Sequence, residues 1–369
     1  MHKNLNTNEM KKLFLLLAFL GTVLSTYAQT NAVDQQQDST INVIAYFCKG
    51  DTVKYTLTNQ KFKVEKKDTT WEANYTEDFS IAVLDSTSKG YRIELQYLDF
   101  DFSQNPQKKF DIEGEIQKLV SKDFKGMKAI FQTDEYGQVT KVENWMKLRD
   151  QICKITDKAV DEVFELKSLP KEMRDSFLQV LPKENLKATL RLAFSDQESV
   201  KQSFDELILL LSNHGYSFAI GEKKEEEKEG NISNTVTTTA GYIQVEDKDV
   251  DTDGDYLVIH QKNISMPFKD ALSLAGGVEA ATLMFGDKYK DMAKKGMTKA
   301  LEEIKEDILV KTIQSSEYWY NGWPKTIVSA SETSVSNHKK IELKTIEWSS
   351  FSLKSGVGTD DSASDTKKM

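Results

Sequence analysis

Trp71-Glu72-Ala73-Asn74-Tyr75-Thr76-Glu77-Asp78-Phe79-Ser80-Ile81-Ala82-Val83-Leu84 reads as a β-strand. The chain turns through Ser86-Thr87-Ser88-Lys89-Gly90 and returns with Tyr91, Ile93, Leu95 and Tyr97 at every second position. That alternation is what a half-buried strand requires, and the short turn makes the pair a hairpin. On its N-terminal side, Ile41 to Cys48 is a strand candidate, Lys49-Gly50-Asp51 a turn, and Val53, Tyr55 and Leu57 alternate with polar residues. On its C-terminal side, Met127–Gln132 and Gln138–Val142 form a second hairpin around Asp134-Glu135-Tyr136-Gly137, where glycine supplies the positive φ of the turn.

Helical periodicity follows. Ile112, Ile116, Leu119 and Val120 mark a short helix at 111–123. Trp145, Leu148, Ile152, Ile155, Ala159, Val163 and Leu166 then line one stripe of about six turns, ended or kinked by Pro170. A further helix is expected over Lys171–Leu181. Another starts at Ser195, with Glu198 completing a capping box, and ends near Gly215. Glu222–Glu229 is a charge run read as a solvated loop near 222–230. Strands resume at Asn234–Glu246 and Tyr256–Ser265, Pro267–Ile313 reads as mostly helical, and Glu317–Trp323, Thr326–Val335 and Lys340–Phe351 close the pattern. Strands before, between and after helices, without βαβ alternation, predict an α+β fold. Its expected form is a large curved antiparallel sheet, half-barrel-like, packed with several helices.

The first residues carry an address. Met10-Lys11-Lys12 precedes the apolar run Leu13–Leu24, and small Thr26 and Ala28 precede Gln29. Charge, apolar core and small-residue site in that order form a cleaved secretory signal. The apolar run rises about 18 Å as a helix, short of the roughly 30 Å of a bilayer core. The expected organisation is therefore 1–28 signal peptide, 29–40 flexible leader, 41–353 one large domain and 354–369 a disordered tail. No cysteine follows the cleavage site, so the product is not expected to be a lipoprotein. No second apolar run is long enough to span a membrane. Location in the periplasm or outside the cell follows.

The full chain of 369 residues carries a formal charge of −9; removing Lys3, Lys11, Lys12 and Glu9 with the signal takes it to −11. An acidic chain without a basic stripe argues against nucleic acid and anionic membrane surfaces as partners. Cys48 and Cys153 could close a loop of about 105 residues, worth ~4–5 kcal/mol in the chain-entropy picture, or stay as buried thiols. Both readings stand at this point.

Motifs for chemistry are sparse. Asp249, Asp251, Asp253 and Gly254 open like a calcium loop, but His260 stands where the bidentate glutamate belongs, so the run is read instead as an acidic hairpin turn. His214, His260 and His338 lack ligands at metal spacing and read as surface or helix-end residues. No phosphate loop, dinucleotide fingerprint or nucleophile elbow is present, so no catalytic residue, metal or cofactor is assigned. Tyr318-Trp319-Tyr320-Asn321-Gly322-Trp323 reads as a strand turned at Asn321-Gly322, with ring stacking on a ligand as the alternative. Ala271–Phe285 is small, apolar and broken at Gly276-Gly277. Leu274, Val278, Leu283, Met284 and Phe285 are its candidate ligand-binding residues, as groove or lid.

Ala129-Ile130-Phe131-Gln132-Thr133-Asp134-Glu135-Tyr136-Gly137-Gln138-Val139 runs into a helix at Asn144-Trp145, and Gly322-Trp323-Pro324 precedes the final strands. In this the chain resembles uncharacterised exported proteins of gram-negative bacteria and, distantly, the half-barrel of outer-membrane lipoprotein carriers. The resemblance implies a curved sheet around a groove for acyl chains. The expected function is a non-catalytic exported protein binding an apolar or amphipathic ligand, such as a lipid or lipoprotein acyl chain. The alternatives are a structural or interaction module of the cell envelope with a protein partner, and a hydrolase with dispersed residues and a polar pocket.

Overall fold

The 71–97 hairpin lies inside a single large sheet. The computed structural model describes residues 40–65, 68–104, 112–167, 169, 171, 174, 175, 178, 182–229, 231–243, 254–267, 306–335 and 338–354. The chain begins with β1 (Thr40–Asn42), β2 (Thr52–Glu65), β3 (Asp68–Thr87) and β4 (Gly90–Gln104), followed by α1 (Ile112–Phe124), β5 (Lys128–Thr133) and β6 (Val139–Val142). The helical middle comprises α2 (Trp145–Val163), α3 (Lys183–Leu192), α4 (Gln197–Gln202) and α5 (Asp205–Leu210). The chain then forms β7 (Ser217–Ala219), β8 (Gly221–Glu229), β9 (Ile232–Tyr242), β10 (Tyr256–Pro267), β11 (Asp307–Tyr318), β12 (Pro324–Val335) and β13 (His338–Ser352).

Eleven strands form one antiparallel sheet in the order β6-β5-β4-β3-β2-β13-β12-β11-β10-β9-β8, while β1 pairs with β7 apart from it. Its edges, β6 and β8, do not pair with each other. The α+β, half-barrel-like expectation is therefore corrected. The five helices described are 6 to 19 residues long, against strands of up to 20, and the fold is dominated by an unclosed sheet. Two local misreadings contributed. Asp307–Ile313, taken as the end of a helical stretch, opens β11. The charge run, taken as a loop, is edge strand β8, exposed throughout. Its ladder with the threonine-rich β9 supplies the order that burial does not. Lys223–Glu225 and Lys224–Glu226 pair along the strand at 2.7 Å. Such charges keep an open edge from pairing with another chain.

Register determines which residues share a face. Leu57, Ile346, Ile327, Ser316, Val258 and Ala240 make one row across β2, β13, β12, β11, β10 and β9. The next row on the same face is polar: Asn59, Lys344, Ser329, Gln314, His260 and Thr238. Helix α5 and the turn after it lie along both. Leu207, Leu210 and Leu211 are buried beside the apolar row. Asp205 meets Lys344 at 2.5 Å, Gln314 donates to Ser212 at 3.1 Å, and His260 Nε2 donates to Asn213 Oδ1 at 3.0 Å. Burial lowers the pKa of His260, and its Nδ1 is placed to accept from Thr238. Helix position is thus set by apolar burial, worth ~1.5–3 kcal/mol per large side chain, and its direction by polar pairs.

Phe204, between α4 and α5, is fully buried against Tyr97 and Phe131, at 6.0 and 5.4 Å between ring centres. On α2, Leu148 and Ile152 join this core. Two turns further on, Val160 and Val163 pack with Phe164 and Leu169 against Leu186 and Leu190 of α3. One helical stripe therefore serves two clusters. Asp196, one residue after the expected cap, accepts from the Ser199 backbone N–H at 2.8 Å and starts α4.

The turn before β2 is held by Asp51, which is buried and accepts from the backbone N–H groups of Cys48 (2.8 Å) and Lys354 (2.6 Å) and from the Trp323 indole (3.4 Å). Asp51→Ala would orphan those donors, and a loss of ~2 kcal/mol is expected in urea unfolding.

Candidate functional site

Helices α1 and α5 do not close fully on the polar half of the sheet. A pocket of about 350 Å³ remains there. Its floor comes from β2 (Leu57, Asn59, Lys61), β3 (Tyr75, Glu77) and β13 (Glu342, Lys344). Tyr97 and Phe100 of β4 stand on one side; Val120, Ser121 and Phe124 of α1, and Ser203, Asp205 and Glu206 beside α5, form the rest of the wall. The rings adjoin one another: Tyr97 and Phe100 at 5.3 Å, Tyr75 and Phe100 at 6.1 Å, and Tyr97 and Phe124 at 6.0 Å.

Two carboxyls are buried at this pocket. Glu206 is 3% exposed and its Oε1 accepts from the Tyr97 hydroxyl at 2.6 Å. Glu77 is 5% exposed and its Oε2 accepts from Tyr75 at 2.7 Å, while its Oε1 is buried with no hydrogen-bond partner. Burial, then the neighbouring Glu77, raises the Glu206 pKa well above the usual carboxylate range despite the Tyr97 hydrogen bond. Burial likewise carries Glu77 from 4.5 to about 7; the Tyr75 hydrogen bond opposes this and Asp205 adds to it. The cause is the one that keeps carboxylic acids neutral in apolar sites: a charge held away from water is costly. At neutral pH the pair therefore retains a proton. A buried oxygen without a partner is uncommon in native proteins, and this one faces a pocket.

Neither acid was singled out from sequence, although a signal was present. Glu77 lies two residues before Phe79 on the face that buries Ile81 and Val83. Glu206 immediately precedes the apolar face of α5. Acids at inward positions were the clue.

Leu274, Val278, Leu283, Met284 and Phe285, the candidate groove or lid, lie outside the described residues, as do the signal region, Asp249, Asp251 and Asp253. Cys48 and Cys153 are free thiols in the structure, one in the turn before β2 and the other on α2. Among the described residues no group of three or more His, Cys, Asp or Glu could hold a metal ion, and no helix is long and apolar enough to cross a membrane. His214, expected at the surface or at a helix end, lies just beyond the end of α5 but is fully buried; its Nε2 lies 3.0 Å from the carbonyl of Gly322, to which it donates. His260 is in β10 as read, and His338 is exposed at the start of β13. In the aromatic run the turn does fall at Asn321-Gly322, with Tyr318 and Trp323 buried and Tyr320 exposed.

No family model matches the chain, and no curated protein matches it. Among solved structures, one of lipid–protein interactions in lipovitellin is 9% identical with a TM-score of 0.38, over 85% of this chain and 26% of that one. The chain thus spans about a quarter of the length of that neighbour. Ail, the attachment invasion locus protein of Yersinia pestis, is 6% identical with a TM-score of 0.15, over 82% of this chain and 99% of that one. The translocator domain of the autotransporter NalP from Neisseria meningitidis is 7% identical with a TM-score of 0.18, over 92% and 96%. At these scores the likenesses carry neither fold nor function to this chain.

Proposed function

We propose that this is an exported protein, released by signal cleavage before Gln29 to the periplasm or beyond, that binds a small amphipathic molecule without transforming it. The pocket between α1, α5 and the sheet carries this reading. It joins an aromatic wall to a polar floor on which Glu77 Oε1 and Asn59 Oδ1 are buried without a hydrogen-bond partner. Most of its lining is polar or charged, with aromatic rings on one side, which suits a molecule that carries a polar head. At about 350 Å³ the pocket suits a short amphipath, and a whole lipid acyl chain would overfill it.

Two measurements test the proposal. N-terminal sequencing of the exported protein is expected to begin at Gln29; retention of residues 1–28 would remove the export reading. Native mass spectrometry of protein purified from its own host is expected to show a small-molecule adduct. Ser203→Trp, which fills the pocket, is expected to abolish it. An adduct unchanged in that variant would place the ligand elsewhere.

A second reading is favoured by one observation, the Glu77 carboxyl poised near 7, which is where a general acid–base operates. If it held, Glu77→Gln would abolish turnover of a bound compound while leaving its affinity intact.

A further inference from the structure

Resting on the pocket being a ligand site, we propose that the group it receives is a protonated amine, seated against Glu77 and flanked by the rings of Tyr75, Tyr97 and Phe100. The pocket's own pairings lead there. Lys344 is committed to Asp205 at 2.5 Å, Glu342 accepts from Asn59 at 2.7 Å, and Glu206 accepts from Tyr97. Glu77 Oε1 and Asn59 Oδ1 are the buried acceptors left over, and of the two only Glu77 can carry a charge. Burial keeps Glu206 neutral, so the carboxyls that can carry charge here, Glu77, Asp205 and Glu342, face two ammonium groups, Lys61 and Lys344. An anionic head would find only the exposed Lys61 as a cation and would set a further negative charge beside Glu77, Asp205 and Glu342. A neutral hydroxyl would satisfy Oε1 and leave the charge imbalance. An ammonium group supplies both the donor and the positive charge, and its methylene skirt suits aromatic faces, which attract cations.

Binding is then linked to protons. Glu77 is faced by Glu206 and Asp205 from α5, by Lys344 and Glu342 from β13, by Lys61 from β2, by Tyr97 from β4 and by Tyr75 on its own strand. Without ligand the pair holds a proton at neutral pH. An ammonium ion at Oε1 takes the proton's place and releases it to solvent.

The test is calorimetric titration of the mature protein with n-hexylamine, n-hexanol and hexanoate at pH 7, in two buffers of different ionisation enthalpy. Hexylamine is expected to bind at least about tenfold more tightly than hexanol, hexanoate not at all, and up to one proton to be released per amine bound. Glu77→Gln is expected to bring hexylamine to the affinity of hexanol. If hexanol matches hexylamine in the unaltered protein, or hexanoate binds best, the amine assignment fails and the pocket reading stands. If none of the three binds, both fall. The three-probe comparison needs no variant, so it decides the matter even if Glu77→Gln does not fold.

Discussion

Gly322→Ala is expected to cost the fold about 3 kcal/mol, near the upper end of what a single methyl can do. Gly322 has φ +81°, a conformation that alanine adopts only with strain, and a Cβ there would lie 2.1 Å from the carbonyl oxygen of Ile44. That oxygen belongs to the extended segment 43–47, which threads between three loops. Val43 N–H donates to Tyr216, Ala45 N–H to Tyr136 and Tyr46 N–H to Asn321, while Gly215 N–H donates to the Val43 carbonyl. Phe47 in the same segment stacks on Trp323 at 3.9 Å between ring centres. Displacing the segment would loosen all of these and the His214 bond to the Gly322 carbonyl. Gly126→Ala is the control: φ there is +83°, with nothing within 4 Å of the added methyl. It should cost only the conformational ~1 kcal/mol. Equal losses in urea unfolding would show that the loops are not clamped on this segment.

Glu77→Gln is expected to gain on the unaltered protein as pH rises, by about 3 kcal/mol between pH 4.5 and 8. Folded Glu77 holds its proton to about 7, whereas the unfolded chain releases it near 4.5. The raised value therefore stabilises the fold fully below pH 4.5, and this is lost as pH climbs through 7. The amide keeps the neutral form at every pH. His214 works in the opposite sense. Burial holds its folded pKa at about 4 against the ordinary 6.5, so its contribution is present above 6.5 and lost as pH falls through 4. His214→Gln should gain on the unaltered protein in acid by a similar ~3 kcal/mol. Urea titrations at pH 4, 5, 6.5 and 8 read both. Parallel curves for Glu77→Gln and the unaltered chain would mean that this carboxyl titrates as if exposed.

The strands that were legible in sequence are those with one wet face. Phe79, Ile81 and Val83 against Ile93 and Leu95 show the period of two because helices cover only their inner side. The 145–163 helix was legible for the same reason, since its buried residues repeat at helical spacing. What escaped has little apolar contrast. β8 is exposed on both faces, and its order comes from ladder bonds to β9, which no side-chain pattern records. At the start of β11 exposed and half-buried residues alternate weakly, so Asp307–Ile313 was taken with the helical stretch before it. His214 escaped because its burial depends on Gly322, 108 residues away. The pocket was hidden more deeply. Glu77 and Glu206 are 129 positions apart in sequence, and only the seating of α5 on the polar row of the sheet makes them neighbours.

Infrared difference spectroscopy across pH 5 to 9 observes that pair directly. The carbonyl stretch of a protonated carboxylic acid is expected to persist at pH 7, to lose one component near 7, and to lack that component in Glu77→Gln. Side-chain carboxyls that are all ionised by pH 6 would contradict a buried pair that retains a proton, and the amine site built on it.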